Sequence, residues 1–369
     1  MRGTGPTRGW LWTGIGLSAA LILGAPFIGQ LRSAIRTAAG ANFATLMAVV
    51  IGGLVAAAVV FAGLRISDRR GLRFGLLGAA LALGIGYSLL AATGNPEVDA
   101  VERFHFIEYG LITALFYRAW RPVGDGSIFL MPILAGLLVG TLEEWLQWFI
   151  PVRVGEVRDV LLNGFAIACG LLFSLGLDPP PRITRALLPR SRRRAALLGA
   201  VLVLLFAGFV HSVHLGYEIR DADAGVFRSR YTAEDLAIIG SERAARWKTA
   251  PPIAWSRLSQ EDQYFTEGVA HVQRRNETWQ DGNVMAARHE NLILEKYYAP
   301  VLDTPSYLAA AGHRWPAAQR ADAESRIGPG FMIYLSDALP SPVFIWPKWL
   351  FWVIVAVPIA VMLRAALRG

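Results

Sequence analysis

The chain has 369 residues, of which 54% are hydrophobic and only 17% are charged, and its mean hydropathy is +0.40. A soluble globular protein carries about 25% charged residues, so this composition excludes a purely soluble protein. The apolar content also excludes a disordered chain. The single cysteine, Cys169, excludes a disulfide scaffold and a cysteine zinc site.

Apolar segments recur along the chain at a length that suits a bilayer, whose core takes about 20 helical residues. They predict an all-α polytopic membrane protein with about eight transmembrane helices. The basic N-terminus, with Arg2 and Arg8, is also typical of a signal peptide, but the apolar stretch is too long and lacks a clean cleavage site, so we expect a retained anchor. In chain order the predicted spans are 9–30, 41–64, 74–93, 104–120, 127–150, 157–177, 195–213 and 344–363.

The placement of arginine predicts the orientation of these spans. Basic residues concentrate in alternate connections, above all in the run from Arg182 to Arg194, as the positive-inside rule requires of cytoplasmic segments. Both termini are then cytoplasmic, and residues 214–342 are extracytoplasmic. The net charge of +8 is explained by this topology. We expect the lipid bilayer as a partner and no nucleic acid, because no basic stripe is interleaved with aromatic residues.

Residues 214–342 change character and predict one soluble external domain between the last two spans, mainly helical with a short β hairpin. Strand-like segments at 226–231 and 331–336 are expected to pair. Capping-box spacing joins Thr232 to Asp235 and Ser259 to Asp262. Further helix starts are predicted at Asp281, at Thr304-Pro305 and at Trp315-Pro316.

Five regions follow from these elements. They are an N-terminal three-span region (1–100), a three-span membrane core (101–177), a basic cytoplasmic loop with the seventh span (178–213), the extracytoplasmic domain (214–342) and a C-terminal transmembrane helix (343–369).

Polar side chains inside three consecutive spans form the candidate site. Ionisable residues within a span are costly and usually face a cavity or a partner. Spacings of three or four place each set on one helix face, and all three sets fall in the outer half of the membrane. We expect a water-accessible pocket, with a purely structural network between the helices as the alternative. The candidate ligand-binding residues are His105, Glu108, Tyr109, Glu144, Gln147, Arg153, Asp159 and Asn163.

Two further expectations concern neighbouring acidic residues. Glu143 points about 100° away from Glu144 on a helix, so we expect the two to differ in role. In the external domain, Glu267, His271, His289 and Glu290 lie on two predicted helices and could build a metal or acid–base site. Solvated helix faces are the favoured interpretation of that second set, because loose spacings of this kind often arise by chance. We expect neither a metal nor a cofactor.

The order of the membrane residues resembles the signature of the VanZ-like family. The resemblance rests on Glu144-Trp-Leu-Gln147, Pro151-Val-Arg153 and Asp159-Val-Leu-Leu-Asn163-Gly164, with His105-Phe-Ile-Glu-Tyr109 in the preceding helix. It covers about residues 100–177. It implies a bacterial integral membrane protein of the cell envelope, for which no enzymatic activity is established. Two departures stand out: Val101-Glu102-Arg103 replaces an expected acidic and basic pair, and the external domain has no counterpart.

Three functions compete on this evidence. The first is a non-catalytic envelope protein of the inner membrane that binds a lipid-linked or wall-precursor ligand, or a protein partner, at the outer leaflet. The second is a membrane-embedded hydrolase or transferase acting on lipid phosphates, for which no clear nucleophile or catalytic residue can be named. The third is a proton-coupled transporter, which needs charges along the whole path and often inverted repeats.

Overall fold

The structure is a computed structural model that describes residues 5–92, 94–150, 155–180, 183, 186–250, 263–306, 308–309, 311–326 and 334–368. The chain is mostly helical and divides into two compact units. The first unit comprises Met1–Gln147, Gly155–Phe209 and Trp352–Gly369. The second comprises Trp148–Val154 and Val210–Phe351.

Long helices build the first unit. A short 3-10 turn, Gly40–Asn42, separates the first two of them, and Gly40 adopts a positive φ of 54° where the first helix ends. In chain order the helices are α1 (Arg8–Ala39), α2 (Phe43–Arg65), α3 (Arg70–Leu90), α4 (Pro96–Trp120), α5 (Ser127–Gln147), α6 (Val157–Leu177), α7 (Pro189–His214) and, after the second unit's long segment, α13 (Lys348–Leu367). The sequence boundaries between the units fall within α7 and α13.

Six helical stretches of the described chain are long and apolar enough to cross a membrane, rather than the eight predicted. The stretch Arg8–Arg65 takes in the first two predicted spans. The predicted span 104–120 lies within α4, which is absent from the six because charged side chains run along its length. The protein is therefore membrane-embedded, since helices such as α2 expose apolar side chains on nearly every face.

Several helix boundaries differ from the predicted ones. Asn95 accepts hydrogen bonds from the backbone N–H groups of Glu97 and Val98, so α4 begins at Pro96, two turns before the predicted span. The predicted span 127–150 ends at Gln147, and the last helix begins at Lys348 rather than at 344. Local capping by Asn95 sets the start of α4, and an apolar window does not record it.

Small residues allow the central helices to approach closely. Gly170 of α6 faces Gly110 of α4, and a Cβ atom on Gly170 would lie 2.7 Å from the Gly110 Cα atom. A Cβ atom on Gly136 of α5 would lie 2.7 Å from the Cδ1 atom of Ile167. Tyr109, at the centre of this packing, is fully buried. Membrane helices associate through such small-residue contacts because lipid offers no hydrophobic drive for their association.

The second unit combines a three-stranded sheet with short helices. The strands are β1 (Leu215–Asp221), β2 (Gly225–Ser229) and β3 (Phe344–Ile345), in the order β2-β1-β3. β1 and β2 form an antiparallel hairpin in which Asp221 pairs with Gly225, and β3 pairs with β1 in parallel. The helices are α8 (Ala233–Arg246), α9 (Gln263–Gln280), α10 (Val284–Tyr297), α11 (Ala299–Leu302) and α12 (Ala317–Ser325).

The expected pairing of segments 226–231 and 331–336 is confirmed in part, at Val226, and residues 331–333 lie outside the described residues. The hairpin partner of β2 is β1, and the described part of the later segment contributes one parallel bridge, between Val226 and Leu335. The pairing of Leu215 with Phe344 joins the two ends of the unit's long segment. The sequence analysis did not predict β1, which forms the antiparallel partner of β2.

Helix caps in this unit agree only in part with those predicted. The capping box of Thr232 and Asp235 is confirmed at the start of α8, whereas Ser259 and Asp262 lie outside the described residues. Asn283, not Asp281, caps α10. The described residues between Pro305 and α12 are not helical, and Pro316 is the cap of α12 rather than its first residue.

Gly170→Ala should destabilise the first unit, because the added methyl group meets backbone atoms of Gly110 that cannot move aside independently. We expect a loss of about 1–3 kcal/mol in the free energy of unfolding, as for other overpacked sites. The measurement is thermal or denaturant unfolding of the purified protein in a fixed detergent.

Gly164→Ala is the matched control on the same helix, since its Cβ atom would lie at an ordinary 3.6 Å from the Leu137 side chain. Alanine is the better helix former, so this variant should be neutral or slightly more stable. Equal losses in the two variants would contradict the close packing described for Gly110 and Gly170.

Candidate functional site

Helices α4, α5 and α6 bring polar side chains together in the interior of the first unit. The hydroxyl group of Tyr109 on α4 donates a hydrogen bond to Oε2 of Glu143 on α5 at 2.5 Å, and both residues are buried. A hydrogen bond to a carboxylate is shorter and stronger than one between neutral groups. This contact fixes the relative rotation of the two helices at the site.

One amide group connects the two adjacent glutamates. Gln147 lies four residues after Glu143 and three after Glu144, and its Nε2 atom lies 3.2 Å from an Oε1 atom of each. Oε2 of Glu144 also accepts a hydrogen bond of 3.4 Å from the backbone N–H of Glu156. All three side chains are buried. We call Tyr109, Glu143, Glu144 and Gln147 the carboxylate cluster.

The expectation that Glu143 and Glu144 differ in role stays a prediction: Tyr109 donates to Glu143 and the backbone N–H of Glu156 donates to Glu144, while Gln147 is shared. The two side chains leave the helix about 100° apart, yet the Gln147 amide spans the gap between them. Glu143 is absent from the predicted site, although its position inside a span was a visible signal. The spacing argument treated each side chain as a fixed direction and ignored the reach of a glutamine.

Asn163 of α6 lies beside the carboxylate cluster with its amide group unsatisfied. Its side chain is 0% exposed, and neither Oδ1 nor Nδ2 has a hydrogen-bond partner among the described residues. Gly140 of α5 separates it from the cluster: a Cβ atom there would lie 3.1 Å from Nδ2 of Asn163 and 3.4 Å from the hydroxyl of Tyr109. Because Gly140 has no side chain, the Asn163 amide and the Tyr109 hydroxyl can both lie close to its backbone.

The remaining predicted residues lie around this centre or apart from it. His105 and Glu108 are partly exposed, with 3.7 Å between Nδ1 and Oε2, and the His105 ring stacks near the Tyr109 ring at 6.1 Å between centroids. The charge of Asp159, in the first turn of α6, acts on Glu102. Arg153 lies outside the described residues.

Two charged residues that the sequence analysis missed stand at the start of α6. Arg158 pairs with Glu102 at 3.3 Å and also donates to the carbonyl oxygen of Ala91. Glu156 precedes the helix, and burial raises the pKa of its carboxyl against the opposing charge of Arg158. Glu156 was missed because it precedes the predicted span, whereas Arg158 lies inside that span and was a visible signal.

The site is dominated by carboxylates and offers hydrogen-bond acceptors. Arg158, in the first turn of α6, is engaged by Glu102. Within the described ranges no group of three histidine, cysteine or acidic side chains is placed to hold a metal ion. The carboxylate oxygens of this arrangement can accept hydrogen bonds from a donor group.

The predicted polar set of the second unit proves to be core rather than surface. Glu267 of α9 is fully buried and accepts hydrogen bonds from Ser229 at 2.6 Å, from Tyr298 at 2.9 Å, and from the backbone N–H and Nε of Arg230 at 3.0 and 2.8 Å. The favoured interpretation of solvated helix faces is therefore wrong for this residue. A buried carboxylate with this many donors is a structural hub.

A second buried carboxylate joins α9 to α10. Glu290 bonds to Nδ1 of His271 at 2.6 Å and accepts hydrogen bonds from Tyr334 and Ser336. Burial alone would raise the pKa of Glu290, but the charge of His271 and these hydrogen bonds hold the pKa below its ordinary value. Nearby, burial lowers the pKa of Arg275 to about 10, which leaves the guanidinium charged at neutral pH.

Comparison with known proteins adds no relative. No protein-family model matches the chain, and neither the curated proteins nor the solved structures include a significant match.

Gln147→Leu should destabilise the first unit, because two buried glutamates lose their shared amide donor while the volume stays similar. Hydrogen bonds to charged groups contribute about 1.5–3 kcal/mol each, and we expect a loss of about 1–3 kcal/mol in total. Unfolding of the purified protein in detergent measures it.

Thr141→Val, on the same helix, is the control. Among the described residues, the Thr141 hydroxyl bonds to the Leu137 carbonyl of its own helix, so its loss should cost less than the Gln147 change. If both variants unfold alike, the amide is not what holds the glutamates.

Proposed function

We propose that the protein is a VanZ-like, non-catalytic membrane protein of the bacterial cell envelope. It binds a lipid-linked or wall-precursor ligand, or a protein partner, at the outer leaflet. One observation carries the proposal: the unsatisfied, fully buried amide of Asn163 lies beside a carboxylate cluster. A group buried in this way normally has a partner. The residues that carry the family resemblance supply most of this site.

The proposed topology has eight spans with both termini in the cytoplasm. The 3-10 turn at Gly40–Asn42 supports counting α1 and α2 separately. α4, with 25 residues, is about 37 Å long and can cross the hydrocarbon core as a polar span between its neighbours. Gln147 ends α5 and Glu156 precedes α6. In this topology the site opens toward the outer leaflet, and the second unit is extracytoplasmic.

Cysteine labelling of intact cells tests the topology. In a Cys169→Ala background, Thr249→Cys in the second unit should react with a membrane-impermeant maleimide, because the residue is exposed and extracytoplasmic in this proposal. Ser67→Cys, exposed between α2 and α3, should react only after the membrane is permeabilised. The reverse pattern would overturn the orientation and with it the outer-leaflet site.

Lipid co-purification tests the binding function. The protein extracted with native lipids should carry a specific lipid-linked molecule that mass spectrometry detects. Glu144→Gln should lower its occupancy about tenfold, as expected for the loss of about 1.4 kcal/mol of binding free energy, and Arg153→Ala tests the family motif. Thr141→Val should keep the ligand.

Two results would contradict the proposal. Equal lipid content in the wild type and in Glu144→Gln would show that the carboxylate cluster is not the binding site. Turnover of a lipid phosphate that Glu144→Gln abolishes would replace binding by the hydrolase or transferase alternative.

A further inference from the structure

Exposed arginine side chains gather where α7 begins and α13 ends, within the first unit. Gly199 of α7 packs against Met362 of α13, since a Cβ atom on Gly199 would lie 3.1 Å from the Met362 Sδ atom. Nearer the helix ends, Nη2 of Arg192 donates a hydrogen bond of 3.3 Å to the carbonyl oxygen of Arg368. We call the six exposed arginines of this end the arginine cluster: Arg190, Arg192, Arg193, Arg194, Arg364 and Arg368.

Both helices are uncharged up to the arginine cluster. Residues 195–213 and 349–363 contain no aspartate, glutamate, lysine or arginine, and α7 and α13 are each long and apolar enough to cross a membrane. Arg194 directly precedes the first of these stretches, and Arg364 directly follows the second. The arginine cluster therefore lies at the depth where the hydrocarbon core of a bilayer meets the lipid headgroups.

The acidic side chains near the arginine cluster are few and already engaged. Residues 179–217 and 338–369 contain no aspartate or glutamate. Asp125 lies beside the start of α7, but it is buried and accepts hydrogen bonds from groups of the protein. Asp178 is paired with Arg121 at 2.8 Å. The positive end of the α7 dipole adds to the charge of the arginines, so this surface is strongly positive.

We infer that the arginine cluster is a binding surface for anionic phospholipids of the adjoining leaflet. A lipid phosphate accepts the charge-assisted, bidentate hydrogen bonds that guanidinium groups donate. The acyl chains of the same molecule can lie along α7 and α13, which expose apolar side chains such as Leu197, Val201 and Leu363. A soluble anion lacks this second contact, which favours a lipid as the occupant. The arginine cluster shares no residue with the carboxylate cluster, and the inference does not depend on the proposed function.

The test counts the phospholipids that the full chain retains. The protein is reconstituted in nanodiscs of equal parts dioleoylphosphatidylglycerol and dioleoylphosphatidylcholine, which share their acyl chains and differ in net charge. Native mass spectrometry then counts the lipids that stay bound in detergent. We expect phosphatidylglycerol to be enriched at least about tenfold over phosphatidylcholine. The enrichment should fall as NaCl rises from about 0.1 M to about 1 M, because the Debye length shrinks from about 10 Å to about 3 Å.

Double variants locate the binding surface. Arg193→Gln with Arg194→Gln, and separately Arg364→Gln with Arg368→Gln, each remove two positive charges from the arginine cluster. The enrichment should fall about fivefold for each arginine removed, since a basic residue near an anionic leaflet contributes about 1 kcal/mol. Arg364→Lys with Arg368→Lys keeps the charge and should keep most of the enrichment, which separates the loss of charge from any loss of folding.

The matched control removes two positive charges from the second unit. Arg320 and Arg326 are already paired, with Glu295 at 2.8 Å and with Asp322 at 2.7 Å. Arg320→Gln with Arg326→Gln changes the net charge of the chain as much as either variant of the arginine cluster does. It should leave the enrichment of phosphatidylglycerol unchanged.

Three results would overturn the inference. The first is equal retention of the two lipids by the wild type. The second is an enrichment that survives both double glutamine variants of the arginine cluster. The third is an equal loss in the control variant, because the net charge of the chain, and not this surface, would then select the lipid.

Discussion

The contact of α4 with α6 at Gly110 and Gly170 is the constraint on which the candidate site depends. Backbone atoms meet there at a distance that no side chain permits, so the two helices are held at closest approach. One to two turns along α6, Asn163 consequently lies beside Tyr109 and Gly140. A larger residue at the crossing would separate the polar groups before it affected any of them directly. The positions of the polar groups therefore depend on Gly110 and Gly170, which have no side chains of their own.

The polar groups of the three helices differ in how completely their hydrogen bonds are satisfied. Tyr109, Glu143, Glu144 and Gln147 satisfy one another through a short chain of hydrogen bonds, which gives the glutamates a fixed geometry. Asn163 stands outside that chain with its amide unsatisfied among the described residues. The first group has its hydrogen bonds within the protein, and under the proposed function the second is the group that a ligand would satisfy. Preorganisation of this kind lowers the cost of binding.

Much of this could be predicted from the sequence, and what could not has identifiable causes. Hydropathy located the helices, and the capping box at Thr232 was visible as a spacing. The hydrogen bond that joins Glu143 to Gln147 was missed because a helical wheel does not show how far a side chain extends. The burial of Glu267 and Glu290 was missed because polar helix faces look solvated until another element covers them. β1 was missed because its apolar alternation is short and follows directly on α7.

The short segment Trp148–Val154 has a practical consequence. Trp148 follows α5 in the sequence, yet it belongs to the second unit, where the guanidinium of Arg230 lies 5.2 Å from the centre of the Trp148 ring. The second unit is therefore a discontinuous domain, assembled from two stretches of chain that are separated by more than fifty residues. A truncated clone that starts at Val210 and ends at Phe351 would lack the tryptophan that covers Arg230. Crystallographers and biochemists who want this domain in isolation will have to graft that missing piece or keep the entire polypeptide.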